Sequence, residues 1–138
     1  MANELMTNEQ LDALIVQLEN YIECWKQFNS YLTMARNKKF QPEDEEQFLE
    51  VKSMMTQELE LIMAQIECKN PTREEVHTLV GNASSLRYLS DARDDALRTT
   101  ENAWHKIYIA WQSILGQMKV KRREMGSQPR FKSWFANK

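Results

Sequence analysis

In a chain of 138 residues, three glycines, three prolines and 28% charged residues favour helix over sheet and leave room for one core but not two. The formal net charge is −2, yet residues 119 to 138 hold seven Lys or Arg against one Glu (+6), while the other 118 residues hold 11 against 19 (−8). An acidic body lacks the basic face that phosphate contacts require, which argues against nucleic-acid binding by the body and leaves only the final residues for such a role.

The opening Met-Ala-Asn-Glu-Leu-Met has no basic segment followed by an apolar one, and no charge-free run nears the ~20 residues that span a bilayer. The reading is a soluble, cytoplasmic protein with no transmembrane segment. Thr7 and Gln10 have capping-box spacing, so a first helix is predicted to start there. Its apolar row runs Leu11, Leu14, Ile15, Leu18, Ile22, Trp25 and Leu32, widened by Tyr21 and Phe28. Asn37, Lys38 and Lys39 supply a stop and positive charge where the helix end is negative. Pro42 then fits the first position of a second helix, with Glu43 to Glu46 complementing its dipole and Phe48, Val51, Met55, Leu59, Ile62 and Ile66 forming its buried row. The short link makes the two antiparallel. In such a hairpin Cys68 lies ~16 Å along the axis from Cys24, beyond the ~7 Å Cα limit for a disulfide, and both are read as reduced structural thiols.

Asn70-Pro71 interrupts, and Thr72 with Glu75 supplies another capping box. From there a row at 3-4 spacing runs through Val76, Leu79, Ala83, Leu86, Leu97, Trp104, Ile107, Trp111 and Ile114 to Met118 without losing phase. Ser90, Arg93 and Thr100 occupy stations where the core wants apolar groups. An unbroken third helix would be ~78 Å long against ~45 Å for the first, stranding both indoles beyond the hairpin. The fold class is therefore all-α, an antiparallel up-down helical bundle. It has four helices if the third breaks near residues 90–100, with Ser90, Asp91 or Thr100 as the new N-cap. Otherwise it has three, with a very long third helix that buries its rings against a second copy in a homodimer. Gly116, off the main row, is expected to permit a close helix approach. Residues 1–126 form the bundle domain, and 127–138 a basic aromatic C-terminal tail.

Candidate chemistry is sparse. Glu74 and His77 make one Glu-x-x-His, and Glu101 and His105 stand four apart, but the second Glu-x-x-His of a carboxylate-bridged metal bundle is missing. Neither cysteine has a histidine placed by the sequence, no serine lies in a glycine-flanked elbow, and no phosphate-cradling glycine loop occurs. No cofactor, metal or catalytic residue is expected. The tail is sharper, with Phe131, Trp134 and Phe135 interleaved with Arg130 and Lys132. Such a segment suits a partner's groove, makes weak contact with an anionic membrane surface, or folds back to cap the bundle with its charges on the acidic start of helix two.

These features point to a non-enzymatic helical interaction protein, an adaptor, chaperone or assembly factor. The partner-binding residues would be Trp104, Trp111, Arg130, Phe131, Lys132, Trp134 and Phe135. In layout the chain resembles the small acidic helical chaperones of bacterial flagellar and type III export systems, a likeness of architecture and charge. The alternative is a metal- or small-ligand-binding bundle using Glu74, His77, Glu101 and His105.

Overall fold

Side-chain caps decide where the helices begin. In the computed structural model, which describes residues 6 to 126, Thr7 Oγ1 accepts from the Gln10 amide at 3.1 Å while Gln10 returns its side-chain oxygen to the Thr7 amide at 2.9 Å. This opens α1 (Asn8–Asn37). Lys38 closes it in the left-handed region at φ 57°, its amide donating to the Ala35 carbonyl and that of Lys39 to Met34. Pro42 starts α2 (Pro42–Met63), where Asp44 accepts from the Gln41 amide at 2.8 Å. Thr72 and Glu75 form the box that opens α3 (Arg73–Asn82). Two more helices follow, α4 (Leu86–Asp91) and α5 (Asp94–Gly126), and no strand occurs among the described residues.

Hydrogen bonds between helices give the topology. Tyr31 to Gln47, Tyr21 to the Met55 carbonyl and Gln65 to Gln17, each at 3.0 Å, run α1 and α2 in opposite directions. The third column climbs back along α2: Arg73 pairs with Glu60 at 3.0 Å, Lys52 donates to the Ser84 carbonyl at 3.0 Å, and Glu45 accepts from the Leu86 amide at 2.7 Å. α5 then descends along α1, with Arg36 on Glu101 at 2.6 Å, Lys119 on Glu19 at 3.0 Å and Arg122 on Asp12 at 2.6 Å. The molecule is an up-down bundle of four columns, the third made of two short helices.

The bundle was expected with three or four helices and has five. The extra break lies at Ala83 to Ser85, inside a row that keeps its heptad phase. Ser85 is extended, and its hydroxyl accepts from the Tyr88 amide at 3.0 Å, so the side chain starts a new helix where Ser84-Ser85 offers the backbone an alternative to continuing. The reversal falls at Ala92 and Arg93, within the expected interval, but none of the three expected caps makes it. Ser90 and Asp91 belong to α4, and Thr100 lies inside α5 with its hydroxyl on the Ala96 carbonyl. Asp94 and Asp95 instead occupy the first turn of α5, where negative charge suits the dipole.

The unbroken third helix is thereby overturned, since α5 at ~50 Å matches α1 at ~45 Å and the chain covers its own indoles. The apolar rows of α1 and α2 are buried as expected, except that Ile15 is partly covered and Ile66 lies past the end of α2. Gly116 corrects another expectation: a Cβ there would meet nothing within 4 Å, so it faces open space and brings no helix close. Cys24 is buried and Cys68 half-buried, both unbridged. No helix among the described residues is long and apolar enough to cross a membrane.

Candidate interaction surface

The two indoles expected to anchor a partner are occupied inside the chain. Trp111 is 0% exposed and meets the Tyr21 ring edge-on at 5.3 Å and 88°. Trp104, 9% exposed, donates its indole N–H to the Trp25 carbonyl at 2.8 Å and stacks on Tyr108 at 4.7 Å. The face they were expected to offer is covered by α1. Tyr21 is central to this cluster, edge-on to Trp25 as well and hydrogen-bonded to the Met55 carbonyl, and burial pushes its phenol well above the ordinary range. The indole N–H groups of Trp25 and Trp111 are buried without an acceptor among the described residues.

The residues of the alternative metal reading are not brought together. Glu101 is gripped by Arg36 through two bonds of 2.9 and 2.6 Å, and His77 lies 3.6 Å from Glu60, which also takes Arg73. Glu74 lies on α3, and His105 is exposed beside Trp104. Among the described residues no group of three or more His, Cys, Asp or Glu could hold a metal ion.

The residues expected in the tail, Arg130, Phe131, Lys132, Trp134 and Phe135, lie outside the described residues. α2 and α5 run parallel, so α5 ends at the opposite end of the bundle from Glu43 to Glu46, ~33 Å away along α2. Glu45 is in any case engaged, its carboxylate accepting from the Leu86 and Arg87 amides at 2.7 and 3.1 Å.

A groove of about 430 Å³ between α3 and α5 went unforeseen. Its floor is Leu79, Ala103 and Ile107, small side chains at Thr78 and Thr99 keep it open, and Lys106 reaches Glu75 at 3.4 Å at one end. The Thr72 amide, followed by the Thr72 hydroxyl and Lys106, holds the Glu75 carboxyl below the usual range despite partial desolvation. The hydroxyls of Thr99 and Thr100 are bonded to carbonyls of their own helix, those of Asp95 and Ala96, while Glu74 and Asn82 add polar groups to the lining. No sequence signal could have found it, because its walls come from two helices whose relative register is set by the breaks around α4.

Outside the groove, Ile109 at 51% and Val120 at 50% are exposed on α5, and Leu49, Met54 and Leu61 on α2. Scattered singly, such residues are ordinary surface. Comparison with known proteins returns no match: no family model fits the chain, and no curated protein or solved structure is similar to it.

Proposed function

We propose that the protein is a non-enzymatic helical interaction protein, an adaptor, chaperone or assembly factor, which holds a segment of a protein partner in the groove between α3 and α5. The groove carries this reading. It has an apolar floor of Leu79, Ala103 and Ile107 beneath a polar rim that includes Glu74, Asn82 and the Glu75–Lys106 ion pair, which suits an inserted apolar side chain flanked by polar groups. The tail remains a second contact for the same partner. Filling the groove with Ala103→Trp tests this: the variant should keep its helical content and lose the partner that the wild-type chain recovers in a pull-down. Equal recovery would refute it.

One observation favours the alternative of a small ligand, the volume of about 430 Å³, which falls within the ~300–1,000 Å³ of ordinary ligand sites. Native mass spectrometry of the purified protein tests it, a bound small molecule displaced by Ala103→Trp being the supporting result and a ligand-free mass the opposing one.

A further inference from the structure

Three sulfur-bearing side chains converge at the end of the bundle where α2 passes into α3. Cys68, on the link between those helices, places its Sγ 4.0 Å from the Sδ of Met63, the last residue of α2. Met118 comes from the third side: it and Cys68 line one furrow of about 530 Å³ between the link and α5. Met118 is 9% exposed, Met63 is partly buried against the core and Cys68 is half-buried. The cluster is thus shielded from bulk water yet open through the furrow.

Thiolate and thioether sulfurs are soft donors, which select soft ions such as Cu(I) over hard cations. Metal–sulfur bonds are ~2.3 Å, so two sulfurs on one trigonal ion stand ~4.0 Å apart, the separation already held between Cys68 and Met63. Without a metal the Cys68 side chain is a thiol, since burial pushes it up and the Pro71 carbonyl lies 3.6 Å away as an acceptor. When Cu(I) binds, the S–Cu bond forms as the S–H bond breaks and the proton leaves to water. The charge of the site is then unchanged. Lys69 and Lys121 outweigh Glu67 on the rim, which leaves a monovalent ion unopposed and repels a divalent one, whose binding adds a charge. This cluster differs from the His, Cys, Asp and Glu groups absent among the described residues in that two of its three ligands are thioethers.

We propose that Met63, Cys68 and Met118 form a binding site for one soft monovalent cation, Cu(I), in trigonal sulfur coordination. Cys68 supplies the anionic ligand, and the two methionines complete the ion's shell from α2 and α5. The site is separate from the α3–α5 groove and does not rest on the partner reading.

Competition for Cu(I) tests it, with bicinchoninate as the competing chelator and ascorbate as the reductant, in the absence of air. The full chain should withdraw one equivalent of Cu(I) from the coloured chelate. Cys24→Ser should do the same, because Cys24 is buried in α1, and Cys68→Ser should withdraw none. Met63→Leu and Met118→Leu, close in volume to the residues they replace and checked by circular dichroism, should each hold Cu(I) about tenfold or more weakly. Copper-edge X-ray absorption should show sulfur neighbours alone at ~2.3 Å. No withdrawal by the full chain overturns the proposal, as does equal affinity in both methionine variants, which would reduce the site to a bare thiol. A nitrogen or oxygen shell around the copper, or Zn(II) held as tightly as Cu(I), overturns it too.

Discussion

The α1–α5 side of the molecule and its α3–α4 column are held by different means. Along α1 and α5, two helices of 30 and 33 residues meet through Trp25, Trp104, Trp111 and Tyr21, with ion pairs only at the margins. The third column is built from helices of 10 and 6 residues, too short to be stable alone; it sends Val76, Leu79, Leu86 and Leu89 into the same core and is positioned by polar groups from its neighbours. Glu45 caps the start of α4, Lys52 takes the Ser84 carbonyl, and Lys38, left-handed at the end of α1, takes the Ser90 carbonyl. Arg36, bonded to both Asp94 and Glu101, then fixes the restart of the chain as α5. Aromatic burial supplies the bulk of the stability on one side. Directed hydrogen bonds supply the shape on the other, and that shape opens the groove between α3 and α5.

Breaking the aromatic side should cost most. Trp111→Ala removes a fully buried indole and should lower unfolding stability by about 3–5 kcal/mol in denaturant titration, with the loss spread over the whole molecule as a single transition. On the third column, Glu45→Ala removes two amide partners at the start of α4 and should cost about 1 kcal/mol, as loss of a helix cap does. Hydrogen exchange sharpens the contrast: amides of α4 should lose protection before those of α1. A smaller change of opposite sign is expected at Gly116, where nothing opposes a methyl group. Gly116→Ala should stabilise by about 0.5–1 kcal/mol, read as a rise in melting temperature.

The pH dependence is the mildest test. Asp94, hydrogen-bonded to Arg36 and close to Arg98, has its carboxyl held below the usual range, as has Glu75 through its Thr72 cap. A carboxyl depressed in the folded state binds protons more weakly there than when unfolded. Its contribution is therefore complete above the ordinary carboxylate range of about pH 4 and is lost as pH falls through the lower folded value. Stability measured from neutral pH downward should decline shallowly below about pH 4, less so in Asp94→Asn.

Much of this contrast could be read from the chain before any coordinates, and the reasons are local. Thr7 with Gln10, Thr72 with Glu75, Pro42 and the Lys38 stop act within a few residues of themselves, and the apolar rows state that Trp104 and Trp111 must be buried. What buries them is not local. The row from Val76 to Met118 keeps its phase across both breaks, so periodicity carries no trace of the turn at Ser84-Ser85, and neither break contains a glycine or proline. Arg36, Lys38 and Glu45 look like ordinary solvated charges because their partners lie 41 to 65 residues away. The groove depends on those same long-range ties and was invisible for the same reason.

The central claim is that the chain reverses after α4 and lays α5 against its own α1. Spin labels placed at Glu19→Cys and Lys119→Cys, with the native cysteines replaced by alanine, test it most directly, since those side chains face each other at 3.0 Å. The account predicts one short separation, of the order set by the ~8–10 Å spacing of packed helix axes, which survives dilution with unlabelled protein. A long separation, or a short one that disappears on dilution, would contradict it.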